Sequence, residues 1–174
     1  LQTETAMFSV ALELLERCRG DTRVVFFAAN ALAGKVRERT FSTELDEAQR
    51  GELVRRMRES FAATARDASC ELASRRLAMG LANAATKLGP EAVKDIVSLG
   101  QTVASSAGVD DAAMRVGIEL VACCAEEVDE AESTRRRALA QSCSSLTEGV
   151  LNMVSQVFKA VGGASTKERD ALRA

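Results

Sequence analysis

Val24-Val25-Phe26-Phe27-Ala28-Ala29-Asn30-Ala31-Leu32-Ala33-Gly34-Lys35-Val36 is the most apolar stretch of the chain, and its reading decides the fold. Val25, Phe26, Ala29, Leu32 and Val36 recur at three- and four-residue spacing, the mark of a helix with a nearly all-apolar face. The two-residue alternation of a half-buried strand is absent here and in the rest of the chain. Asp21 is placed to cap this helix, expected over about 22–39, and Gly20 to stop the one before it. The strongly apolar core of the stretch, Val24–Gly34, is too short to cross a bilayer.

Working outward, the same period predicts six more helices. The first runs over about 4–19 with Phe8, Ala11, Leu12, Leu15 and Cys18 as its stripe. After a connector at 40–45, Asp46 opens a third helix, about 47–66. Leu53, Val54, Met57, Phe61 and Ala65 lie on one side of it, and Glu52, Arg55, Arg56, Glu59 and Arg66 on the other. A fourth, about 69–88, turns Leu77, Leu81, Ala84, Ala85 and Leu88 inward and ends at Gly89-Pro90, where Pro90 can open the next. The fifth, about 91–106, is led by Val93, Ile96, Val97 and Val103. The sixth, about 110–128, carries Met114, Ile118, Val121 and Cys124. An acidic connector, Glu126–Glu132, precedes a seventh over about 133–161, with Leu139, Leu146, Val150, Val154 and Val157. A polar tail, 162–174, follows.

The composition agrees. The chain has 174 residues, 47% of them hydrophobic and 28% charged, enough for one domain with a real core. One proline, no tryptophan, no tyrosine, and abundant alanine favour an all-α fold. The absence of histidine excludes Ser-His-Asp and Cys-His catalysis and any zinc site that needs imidazole. The net charge of −2 divides into +2 for residues 1–90 and −4 for residues 91–174, neither a strong field, so nucleic acid is not an expected partner. The odd cysteine set (Cys18, Cys70, Cys123, Cys124 and Cys143) has no regular spacing, and it reads as reduced core thiols of an intracellular protein. The chain opens at Leu1, directly inside an apolar pattern, which reads as a piece of something longer.

The order of the helices separates two all-α architectures. The second, fourth and sixth are the most uniformly apolar, and they alternate with helices that carry a charged face. That is the pattern of stacked helical pairs rather than a closed bundle. The ends Val36, Leu88 and Val128 are spaced by values that bracket the ~40–47-residue HEAT and armadillo period. The expected fold is therefore a HEAT-type α-α superhelix over residues 1–161, of about seven helices.

At this point a resemblance enters. Val24 to Val36 resembles the second-repeat A helix of the importin-β (karyopherin-β) superfamily, V-x-F-F-A-A-Q-x-L-x-x-K-I. Ala11-Leu12-Glu13-Leu14-Leu15 is similar to that family's first B helix, and Leu53-Val54-Arg55-Arg56 stands where its second B helix does. Arg76-Leu77-Ala78-Met79-Gly80-Leu81-Ala82-Asn83-Ala84-Ala85 is similar to its third-repeat pattern. Glu126-Glu127-Val128 with Thr134-Arg135-Arg136-Arg137 resembles a stretch of the transportin-SR group.

The resemblance implies the N-terminal part of a nuclear transport receptor that shuttles between cytoplasm and nucleus. It would bind the GTPase Ran in its GTP form through B helices, admit nucleoporin Phe-Gly repeats between A helices, and hold cargo mainly further along the array. No catalytic role, cofactor, metal, nucleic acid or membrane is implied. Candidate Ran contacts are Glu13, Glu16 and Arg17 on the first helix, Glu52, Arg55, Arg56 and Glu59 on the third, and Lys94 and Gln101 on the fifth. Two other classes stay open: a HEAT or armadillo scaffold with another task, and a helical enzyme working through carboxylates or arginine. Of the smaller motifs, Arg135-Arg136-Arg137 is expected to pair with the acidic stretch upstream. Phe26-Phe27 is expected to be core packing.

Overall fold

The computed structural model describes residues 2–106, 111–144, 149–152, 154, 155 and 159. Every regular element among them is helical: α1 (Gln2–Arg17), α2 (Thr22–Arg37), α3 (Thr40–Thr43), α4 (Glu47–Thr64), α5 (Glu71–Leu88), α6 (Pro90–Ser106), α7 (Asp111–Glu130) and α8 (Ser133–Cys143), with one 3-10 turn, Ala68–Cys70, leading into α5. The described residues of 149–159 are helical as well. The tail 162–174 lies outside the described residues.

The helix starts follow local chemistry. The Asp21 carboxylate accepts from the backbone N–H groups of Arg23 and Val24 at 3.0 and 3.3 Å. Asp46 and Gln49 form a reciprocal capping box, with bonds of 2.8 and 3.0 Å. Each satisfies N–H groups that the helix itself leaves unpaired, and such a cap is worth about 1 kcal/mol. Gly89 adopts a φ of 124°, a region open to glycine, and this lets α5 stop and α6 begin at Pro90.

Two series of helices build the molecule. α2, α5 and α7 pack on one another in that order, and α1, α4, α6 and α8 touch in order beside them. α5 is central, meeting α2, α4, α6 and α7. Its sequence permits this because it is small on several sides: Ala73, Ala78, Ala82, Ala84 and Ala85 are all buried alongside Leu77 and Leu81. Gly80 marks the tightest approach to α2 and α4. A Cβ there would lie 2.9 Å from the Met57 methyl and 3.2 Å from the Ala33 Cα. The predicted stripes of the first, third and fifth helices are buried, apart from half-buried Cys18.

Several expectations need correction. The connector at 40–45 contains the one-turn helix α3, which drives Phe41 fully into the core. The acidic connector is largely helix, since α7 continues to Glu130. Phe26 and Phe27 are not core residues, being 38% and 67% exposed. The buried face of α2 is Val25, Ala28, Ala29, Leu32 and Val36, and steps of about 100° per residue carry positions 26 and 27 away from it. In α7 the buried stripe is Ala113, Val116, Leu120 and Cys123, with Cys124 beside it. Met114, Ile118 and Val121 are half-buried. That phase follows from α7 touching both α5 and α6, whose close approach selects small residues over large ones. Leu88 and Val154, expected inward, stand exposed. Leu146 and Val157 lie outside the described residues.

Cys70, Cys123 and Cys124 are buried and unbridged. Burial raises the Cys70 thiol and pushes Cys123 up to about 11, the behaviour of unreactive packing thiols. The side chain of Cys143 is outside the described residues.

Candidate interaction face

The α1, α4 and α6 helices carry the residues singled out in the sequence, and these helices lie next to one another. Their apolar stripes face the core, so helical geometry turns the intervening charges outward. On α1, Arg17 pairs with Glu13 at 2.8 Å. Glu16 reaches across to α4, where the Arg56 Nε and Nη2 both donate to its Oε1 at 2.9 and 2.8 Å. This contact spans forty residues of sequence and joins the two helices.

At the preceding position of α4, Arg55 grips the two carboxylate oxygens of Glu52 at 2.8 and 2.6 Å and reaches Glu59 with its remaining nitrogen. The hydrogen bond from Arg55 holds the Glu52 carboxyl below its ordinary range, and the carboxylates keep the guanidinium firmly protonated. All three side chains are well exposed, so the cluster contributes little to stability. Arg58 points to Asp95 at 3.8 Å and links α4 to α6, and Lys94 pairs with Glu91 at 2.8 Å within α6.

Gln101 departs from the expectation. It is half-buried, its amide Nε2 has no hydrogen-bond partner, and it packs against Gly149, where a Cβ would come within 2.7 Å of that nitrogen. It faces the segment after α8 and not the solvent beside Lys94. The structure therefore brings together Glu16 with Arg56, and Glu52 and Glu59 with Arg55. It keeps Glu13, Arg17 and Lys94 in local pairs and sets Gln101 apart.

The arginine run behaves as expected at its middle residue. The Arg136 guanidinium donates to the Asp129 carbonyl at 3.1 Å and faces the Asp129 carboxylate at 3.5 Å. Arg136 also lines an apolar cavity of about 460 Å³ between α6, α7, α8 and residues 150–151, with Val97, Val121, Cys124, Val128 and Ala140.

On the α2–α5–α7 side are features not anticipated from the sequence. Glu71 of α5 bridges to Arg115 of α7 and to Arg75 in its own helix, both at 2.9 Å, and Arg75 also faces Glu119 at 3.2 Å. Asn83 donates to Glu127 across 2.7 Å. A recurring signal was present: Ala29-Asn30-Ala31 and Ala82-Asn83-Ala84 each set one amide inside an apolar helical run.

The chemistry of the α1–α4–α6 face is that of ion pairs. Its exposed groups are charges in pairs, and among the described residues no group of three His, Cys, Asp or Glu side chains is placed to hold a metal. No described helix is long and apolar enough to cross a membrane. No family model matches the chain, and no curated protein or solved structure matches it either.

Proposed function

We propose that the chain is a HEAT-type array, the N-terminal part of an importin-β-like nuclear transport receptor, and that its α1–α4–α6 face binds Ran in the GTP form. The observation that carries this reading is the serial packing of two sets of helices, α2–α5–α7 beside α1–α4–α6–α8, with candidate contact residues on three successive members of the second set. Helices that repeat in this way offer a broad surface to a folded partner. On this reading nucleoporin Phe-Gly repeats and cargo are the further partners, the protein shuttles between cytoplasm and nucleus, and the chain has no catalytic role.

The test is binding to Ran loaded with a non-hydrolysable GTP analogue, beside Ran·GDP. The reading expects a clear preference for the GTP form, weakened about tenfold or more by Arg55→Glu, as for loss of a central contact. Equal or absent binding to the two forms sinks it.

A second reading, a HEAT or armadillo scaffold for another assembly, is favoured by one observation. Arg55 is already held by Glu52 and Glu59, and Arg56 by Glu16, so the face offers little uncompensated charge. Loss of Ran preference with retained affinity for some other folded partner supports that alternative.

A further inference from the structure

A small groove opens on the α2–α5–α7 side, away from the paired charges of α1 and α4. It encloses about 160 Å³ and is lined by Asn30, Gly34 and Arg37 of α2, Arg76 and Asn83 of α5, and Glu127 of α7. Its floor is made of small residues, for Ala33 and Gly80 bring α2 and α5 into close contact beneath it. A Cβ added at Gly34 would meet nothing within 4 Å, so the space above that position is open.

The polar groups around this space are incompletely matched. Arg37 has no carboxylate partner among the described residues, and Arg76 only lies against the Met79 sulfur at 3.8 Å. Asn83 spends its amide hydrogen on Glu127, while its Oδ1 is buried with no donor. Burial is the main cause of a lowered Lys87 pKa. Glu127 opposes that shift, and Arg135 and Arg37 add to it.

We propose that this groove binds an extended acidic peptide segment, its side-chain carboxylate between Arg37 and Arg76 and a backbone N–H donating to the Glu127 carboxylate that Asn83 holds. Arginine forks match carboxylates, and the Glu127 carboxylate, which takes one bond from Asn83, keeps lone pairs for a further N–H. A free phosphate satisfies only half of this arrangement. It brings acceptors to the arginines, carries no backbone N–H, and sets its full charge against Glu127. A peptide brings both kinds of group. The volume admits one residue of such a segment, with its neighbours outside the groove. The proposal is independent of Ran binding, since it uses none of the residues of the α1–α4–α6 face.

The test is a titration of the whole chain, isotopically labelled for amide spectra, with an Ala-Glu decapeptide, the matching Ala-Gln decapeptide, and inorganic phosphate. The expected result is movement of the Asn30, Gly34 and Asn83 amides with the Glu peptide alone. Gly34→Leu fills the groove without a backbone clash and keeps the fold, and it is expected to weaken binding about tenfold, as is Arg37→Ala with Arg76→Ala. Three outcomes overturn the proposal: no binding of the Glu peptide; equal binding by Gly34→Leu, with shifts elsewhere, such as at Arg135–Arg137; or the same amides moving with phosphate, which marks a simple anion site.

Discussion

Gly100 and Gly117 lie back to back where α6 crosses α7. A Cβ on Gly100 would stand 2.8 Å from the Gly117 carbonyl oxygen, and one on Gly117 would stand 2.6 Å from the Gly100 oxygen and 2.7 Å from the Ala104 nitrogen. The obstacle in each case is backbone, which cannot swing aside as a side chain can. Gly117→Ala is therefore expected to destabilise the protein by about 1–3 kcal/mol, the usual range for overpacking, despite alanine's better helix propensity. Gly51→Ala is the control. Gly51 is exposed within α4, nothing lies near its would-be Cβ, and a gain of about 0.4–1 kcal/mol is expected. Urea midpoints of the two variants against the parent protein check both signs.

Phe27 and Phe61 give opposite outcomes. Phe61 is fully buried and Phe27 is mostly exposed. Phe61→Ala is expected to cost about 3–5 kcal/mol, and Phe27→Ser to stay within about 0.5 kcal/mol. A large loss from Phe27→Ser in thermal unfolding would restore the reading of both phenylalanines as core.

Lys87 fastens the end of one helix to another. Its ammonium donates to the carbonyl oxygens of Val36, Arg37 and Glu38 at 2.6, 3.0 and 3.1 Å, and sits 5.8 Å from the centre of the Phe41 ring. These carbonyls lie at the α2 C-terminus, where the helix leaves them unpaired and its dipole favours a cation. Lys87→Met keeps the stem and removes the charge, and about 1.5–3 kcal/mol of stability is expected to go with it. Lys94→Met, which breaks only the pair with exposed Glu91, is expected to change stability by about 0.5 kcal/mol or less. Equal effects of the two would remove the special role of Lys87.

The Glu71 bridge sets an acid dependence. The hydrogen bond from Arg115 holds its carboxyl below the ordinary 4.5, with Arg75 adding to the effect. For a lowered carboxylate the unfolded chain takes up the proton first. The stabilisation is therefore present above that ordinary value and lost as pH falls through the folded one. In Glu71→Gln the decline of stability between about pH 5 and about pH 3 is expected to be shallower than in the parent, read from urea midpoints across that range. An unchanged slope would show that the bridge carries no linkage.

The order of amino acids is enough to establish that the chain is helical, where most helices begin and which stripes of α1, α4 and α6 are buried. These follow from signals within a few residues: the caps at Asp21 and Asp46, the break at Gly89-Pro90, and apolar spacing. It also placed charges on the outer faces of α1 and α4, because a helix that packs on one side exposes the other. Tertiary structure alone decided the phase of α7, the exposure of Phe26 and Phe27, the burial of Phe41 in α3, and the turning of Gln101 toward Gly149. It alone joined Glu16 to Arg56 and gathered Arg37, Arg76, Asn83 and Glu127 around one groove. The physical reason is common to all of these. A periodic pattern defines a face when a helix has one packed side, as α1 does. A helix pressed from several sides, as α5 and α7 are, takes its orientation from how closely small residues such as Gly80, Gly100 and Gly117 let its neighbours approach, and that depends on residues far away along the chain.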